Sequence, residues 1–150
     1  LRFCEQYLDR TGDQAQELHV SIVSLVREFQ QDSTPWCFCH NDLVRANIFL
    51  SDSAATFIDW EYADRHNPWF DLAAVIYYFG LTKSEARSLL ESYSLIDPNL
   101  VESRIFYTSQ LSLVWGDILW HLSTFGEHYW LELETKRQDI LLLLDQLKTG

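Results

Sequence analysis

The chain is short of cysteine, of basic residues and of long apolar runs, and each shortage closes off a class of protein. Three cysteines in 150 residues, Cys4, Cys37 and Cys39, are too few and odd in number for a disulfide framework, and they suit reduced thiols in the cytoplasm. Eleven Lys and Arg stand against 22 Asp and Glu, a formal net charge of −11, with no basic cluster to lie along a phosphate backbone. Nucleic acid is therefore not an expected partner. The longest near-unbroken apolar run, Leu72 to Leu81, is about half of the roughly 20 residues a membrane-spanning helix needs. The opening LRFCEQYLDRTGDQ is polar and acidic where a signal peptide would be basic and then apolar, so neither membrane nor export is expected. No G-x-x-x-x-G-K-[ST] phosphate loop and no G-x-S-x-G nucleophile elbow occurs. The chain also opens on Leu1, which raises the expectation that it is a piece of something longer.

Apolar residues, by contrast, make up 47% of the chain, enough for one sizeable core and a single domain over residues 1–150. Leu18, Ile22, Leu25, Val26 and Phe29 recur at helical spacing, predicting one or two amphipathic helices in the first 30 residues, broken near Thr11-Gly12. After Ser33-Thr34-Pro35 the runs shorten. Trp36 to Cys39, Asn47 to Leu50 and Ala55 to Ile58 read as brief strands, the last two joined into a hairpin by Ser51-Asp52-Ser53. From Asp71 onward the pattern is helical. Leu72 to Phe79 is closed by Gly80, and Thr82-Lys83-Ser84-Glu85 is a capping box opening a helix to about Tyr93. Asp97-Pro98 starts a long helix to about Thr124, and a last helix from about Glu127 to Lys148 carries a Leu141 to Leu144 patch that must pack on its neighbours. The expected fold class is α+β, predominantly helical, with a small β-hairpin at one end of a helical body.

The chemistry is concentrated between the first two strands and just after the third. There the chain offers a carboxylate, Asp42, an amide five residues later, Asn47, and across the hairpin a second carboxylate, Asp59. Three oxygen ligands converging from these positions suit Mg²⁺, which binds few carboxylates together with phosphate oxygens, and phosphoryl transfer needs such a cation. A single Asp or Asn in a loop is usually a turn former; three at this spacing, flanked by strands, are hard to attribute to turns. Cys37, Cys39 and His40 are possible zinc ligands by type, but no second Cys pair closes a tetrahedral site, so a buried apolar role is expected for the cysteines.

The spacing H-x-D-x-x-x-x-N followed by h-h-D is that of a kinase catalytic loop and its metal-binding aspartate. Cys39-His40-Asn41-Asp42-Leu43 through Asn47-Ile48, then Ile58-Asp59-Trp60-Glu61-Tyr62-Ala63 and Asn67-Pro68-Trp69-Phe70-Asp71-Leu72-Ala73, resemble the aminoglycoside phosphotransferase and choline kinase superfamily. The choline/ethanolamine kinase and thiamine kinase branches are the most similar. The resemblance covers residues 36–75 strongly, and Ser109 to Asp139 is similar to the aromatic-rich C-terminal helices of choline kinases. It implies the C-terminal lobe of a protein-kinase-like fold. Asp42 would be the catalytic base, Asn47 and Asp59 would hold Mg²⁺ with ATP as donor, and His40 would be structural, packing beneath the metal-binding segment near Trp60. Glu61 would touch a second metal or its water shell. Asp71 would receive backbone N–H groups of the catalytic loop, with a plain N-cap as the alternative. Arg45 would approach phosphate oxygens or stand as a solvated loop cation.

The acceptor implied is a small cationic alcohol. Glu127, Trp130 and Glu134 fall on one helical face, and a ring beside a carboxylate suits a quaternary ammonium or thiazolium. Trp115 and Trp120 are further ring candidates with a core role as the alternative, and five residues apart they cannot share a helix face. Tyr62 and Trp69 are pocket-wall candidates. Aminoglycoside kinases more typically show a glycine-containing segment after the metal aspartate, which ranks an aminoglycoside 3′-type acceptor below the cationic alcohol as an alternative, and the lack of an Ala-Pro-Glu segment and of a long activation loop ranks a protein acceptor lower too. No glycine-rich strand-turn-strand precedes the loop, so the nucleotide is expected to be shared with an absent N-terminal lobe and the isolated chain to turn over poorly. The competing class is a kinase-like binding module that has lost transfer. Oligomeric state is not legible.

Overall fold

Short polar signals set the helix ends. Thr82 Oγ1 accepts the Glu85 N–H at 3.3 Å while the Glu85 carboxylate accepts the Thr82 N–H at 2.8 Å, completing the capping box. The Thr82 hydroxyl also donates to the Glu85 carboxylate at 2.7 Å, and that bond, with the one from the Thr82 N–H, holds the Glu85 carboxyl below its ordinary pKa. At the other punctuation mark Gly80 takes the left-handed conformation, φ 61°, and the Leu81 N–H reaches back to the Ile76 carbonyl at 3.0 Å.

A computed structural model of the chain describes residues 12–29, 34–93, 96–126, 128–129 and 133–149. Its elements are α1 (Gly12–Phe29), β1 (Cys37–Cys39), β2 (Ile48–Leu50), β3 (Ala55–Phe57), β4 (Asp64–His66), α2 (Trp69–Phe79), α3 (Lys83–Ser92), α4 (Arg104–Phe125) and α5 (Glu134–Thr149). Single 3₁₀ turns cover Arg45–Asn47 and Pro98–Glu102. No described helix is long and apolar enough to cross a membrane.

The hairpin forms as expected, with Ile48 opposite Phe57, Phe49 opposite Thr56 and Leu50 opposite Ala55. Ser51 closes it by exchanging bonds with Ala54. A fourth strand was not expected. Asp64-Arg65-His66 pairs antiparallel with β1, putting His66 opposite Cys37 and Asp64 opposite Cys39. Ladder bonds are made by the backbone, so a polar triplet pairs as readily as an apolar one when the chain returns beside a partner.

Two helix boundaries also differ from the expectation. The long helix does not run unbroken from Pro98: Ser103 takes extended backbone, φ −78° and ψ 162°, after the 3₁₀ turn, and α4 begins at Arg104. The last helix begins at Glu134, and the expected start at Glu127 lies outside the described residues, as do residues 1–11. Nor does the whole leucine run of α5 pack inward, since Leu141 and Leu142 are 51% and 64% exposed. Four successive residues at about 100° per residue sweep most of a helix circumference, so they cannot share one buried face.

The described chain divides into two compact units, residues 34–106 and residues 12–29 with 107–149. In the first, Cys39, Trp69, Ala73, Ala86, Leu90 and Val101 are buried. In the second, Ile22, Leu111, Val114, Ile118, Leu122 and Ile140 are, and Trp115 donates its indole N–H to His19 Nδ1 at 3.1 Å.

Candidate active site

The chain leaves β1 at Cys39 and enters a loop whose shape is set by one carboxylate. Asp71, in the first turn of α2, accepts the His40 N–H at 2.7 Å on one oxygen and the Asn41 N–H at 2.8 Å on the other. This is the loop-holding alternative of the two expected for it; the residue that precedes the helix is Pro68, with no side-chain cap. Asn41 is left-handed at φ 63°. Of the non-glycine residues, Asn and Asp tolerate that region best.

Two side chains then reach from this loop to the segment that carries Asp59. The His40 ring bonds the Ile58 carbonyl through Nε2 at 2.8 Å, and the Asn41 amide donates to the Tyr62 carbonyl at 2.9 Å. Trp60 covers the His40 ring, centroids 4.5 Å apart, while its indole N–H bonds the Phe57 carbonyl at 3.0 Å. Asp59 itself is left-handed, φ 64°, and a 3.0 Å bond from Ala63 N–H to the Trp60 carbonyl closes the turn after it.

Asp42 and Asn47 meet across the 3₁₀ turn. The Asn47 amide donates to the Asp42 carboxylate at 2.8 Å and to the Asp42 carbonyl at 2.9 Å, and the Asn47 carbonyl takes the Ile58 N–H at 3.0 Å. Asn47 thus ties Asp42 to the residue before Asp59. Burial pushes the Asp42 carboxyl above its ordinary pKa; the Asn47 bond and the His40 ring oppose the shift, and the charges of Asp59 and Glu61 add to it. Among the described residues neither Asp59 nor Glu61 has a hydrogen-bond or ion-pair partner for its side chain, and no Lys or Arg pairs with Asp42.

The donor set fits a hard divalent cation. The Asn47 amide nitrogen is spent on Asp42, which leaves its oxygen, and the Asp59 carboxylate would join it in a site that phosphate and water would complete, with Asp42 left beside it. Among the described residues no three His, Cys, Asp or Glu side chains gather as a metal site. The Cys37 and Cys39 sulfurs lie 3.6 Å apart as free thiols, Cys39 is buried with its thiol pushed up to about 12, and its S–H points to the His66 carbonyl.

The model of the phosphotransferase enzyme family matches residues 2–104. The chain belongs to that family. Protein LicA of Haemophilus influenzae strain Rd is 49% identical over 55 residues, 37% of this chain and 21% of that protein, and a second Haemophilus influenzae LicA is 49% identical over 55 residues, 16% of its length. The crystal structure of choline kinase LicA from Streptococcus pneumoniae matches 99% of this chain with a TM-score of 0.72 and 20% identity. That match spans 54% of the Streptococcus chain, and the fold is that of the C-terminal lobe of a kinase-like protein, as expected.

The other expected site residues of this phosphotransferase-family chain scatter. Arg45 lies with its guanidinium 5.1 Å above the Phe79 ring, a cation–π contact. Tyr62 is exposed and offers its carbonyl to Asn41; Glu61 is exposed. Trp69, a pocket-wall candidate, and Trp115, a ring candidate with a core role as its alternative, are 0% and 2% exposed and serve as core, because their elements turn them inward. Glu127 and Trp130 lie outside the described residues. In that second unit the exposed rings belong instead to Trp120 and Phe125, 6.0 Å apart, with Tyr129 4.8 Å from Phe125, while Asp117 is paired with Lys136 and His121. Two site-shaping residues escaped the sequence reading. Asn41 carries a detectable signal, an Asn where a left-handed residue is needed; Asn67, whose buried side chain accepts the Trp69 N–H at 3.0 Å, carries only its place before a proline.

Proposed function

We propose that this chain is the C-terminal catalytic lobe, residues 1–150, of an ATP-dependent phosphotransferase acting on the hydroxyl of a small cationic alcohol. Choline or ethanolamine ranks first and thiamine second. The observation that carries the reading is the grip of Asn47 on Asp42, tied through one backbone bond to the segment bearing the unpaired Asp59.

Asp42 is the base: its free carboxylate oxygen accepts the hydrogen bond of the acceptor hydroxyl and takes its proton as the new O–P bond forms and the bond from the γ-phosphorus to the β–γ bridging oxygen breaks, with ADP leaving. A pKa above the ordinary carboxylate value makes it a better proton acceptor than a solvated Asp. Asn47 and Asp59 would hold Mg²⁺, which when bound neutralises charge on the nucleotide phosphates, and Glu61 would bind its water shell. His40 and Asp71 hold the loop's shape without touching substrate. Arg45, stacked over Phe79, would approach the phosphate oxygens.

Choline ranks first because the Streptococcus pneumoniae match is a choline kinase and the Haemophilus relatives share its name. The exposed rings of Trp120 and Phe125 and the half-buried ring of Tyr129, with Glu127 and Trp130 from the sequence, are the proposed contacts for the cation, which needs ring faces and no hydrogen-bond donor. Exposed rings on and beside the strands, Trp36, Phe38, Phe49, Phe57 and Trp60, support a seat for an N-terminal lobe that shares the nucleotide. ATP use and reduced thiols fit the cytoplasm.

The test is a coupled assay of the full-length protein with Mg²⁺ and ATP against choline, ethanolamine, thiamine and an aminoglycoside. Transfer to choline or ethanolamine is expected to lead. Transfer to none would leave the binding-module reading in its place.

A further inference from the structure

The Asp59 segment has two ends, and successive residues of the loop hold them. His40 takes the Ile58 carbonyl before Asp59, and Asn41 takes the Tyr62 carbonyl after it. Both holders are fixed by the two oxygens of Asp71. A left-handed Asp59 between these anchors has its backbone orientation determined from outside, since its own side chain has no partner among the described residues.

The Asn41 contact is costly to keep, which argues that it is specific. A non-glycine residue at φ 63° carries strain, and the amide oxygen of Asn41 is buried without a partner among the described residues. Turning the amide over would relieve nothing, because two oxygens would then face each other at Tyr62. Glycine would meet the backbone demand more cheaply and lose only the amide. What glycine cannot supply is the tie to the turn after Asp59.

We propose that Asn41 is a positioning residue for the metal-holding carboxylate: by clamping the Tyr62 carbonyl it sets where Asp59 stands relative to Asp42 and Asn47. The inference rests on the reading of Asp59 given above. Asn41 itself touches neither metal nor substrate.

The experiment uses the full-length protein, with Mn²⁺ and ADP as the probe and electron paramagnetic resonance as the readout of bound metal. Asn41→Gly is expected to keep the fold, since both N–H bonds to Asp71 remain, and to weaken Mn²⁺ binding by about tenfold or more. Asp59→Asn is the control for loss of the ligand. Hydrogen exchange at the Ala63 amide, measured without metal, is expected to quicken in Asn41→Gly, because the turn it closes loses its anchor. Mn²⁺ affinity and Ala63 exchange both equal to the parent's would overturn the inference alone. An Asn41→Gly protein that does not fold would overturn it too, by making Asn41 structural. A parent that binds no Mn²⁺ in the presence of ADP would take down the proposed function together with this inference.

Discussion

The segment from Cys37 to Asp71 and the helices of the second unit are held by different forces. In the first, directional bonds dominate: Asp71 to two backbone N–H groups, His40 and Asn41 to two carbonyls, Asn47 to Asp42. In the second, Ile22, Leu111, Val114, Ile118, Leu122 and Ile140 are all at most 1% exposed, and burial of volume holds the helices. Hydrogen bonds of this kind are directional and fix geometry, whereas apolar packing adds stability and tolerates small adjustments. Damage to the loop should therefore be read in chemistry, and damage to the helices in stability.

The largest expected effect is on turnover. In the full-length enzyme Asp42→Asn removes the proton acceptor and is expected to lower kcat by about 10² to 10⁴-fold with nucleotide affinity kept. Asp59→Asn is expected to raise the KM for metal–nucleotide instead; equal metal–nucleotide affinity in that variant and the parent would dissolve the distinction between the two carboxylates. The converse experiment is Ile118→Ala in the helical unit. It is expected to cost about 2 to 5 kcal/mol in a urea titration while leaving the rate per folded molecule near the parent's. A stable Ile118→Ala protein with altered kinetics would show that the two regions do not divide the labour as described.

The smallest effect sharpens the comparison through pH. Burial raises the folded-state pKa of Asp42 above its unfolded value near 3.8, so the stabilisation it brings is complete below that value and is lost as pH rises through the raised one. Asp42→Asn is never charged. Its melting temperature should exceed the parent's near neutral pH, and the gap should close as the pH falls toward about 3. A gap constant across the range would mean that Asp42 is not penalised for its charge.

Much of this was legible in advance where the cause is local. The hairpin was readable from two short apolar runs around Ser51-Asp52-Ser53, and the start of α3 and the end of α2 from Thr82, Glu85 and Gly80, because each signal acts over four or five residues. β4 was not, since Asp64-Arg65-His66 has no apolar alternation and pairs only because β1 lies beside it. Trp69 and Trp115 are chemically able to line a pocket, and composition could not say that both are interior. Asp71 was readable as either a cap or a loop holder, and the choice depended on where His40 and Asn41 would lie.

The residue types at positions 42, 47 and 59, their spacing and the helix signals around them belong to the sequence alone, because side-chain chemistry and short-range backbone preference travel with the chain. Which carbonyls His40 and Asn41 would grip, and which N–H groups Asp71 would receive, join residues 18 to 31 positions apart. Contacts at that separation exist only after the chain has folded back on itself, so the tertiary structure decided them.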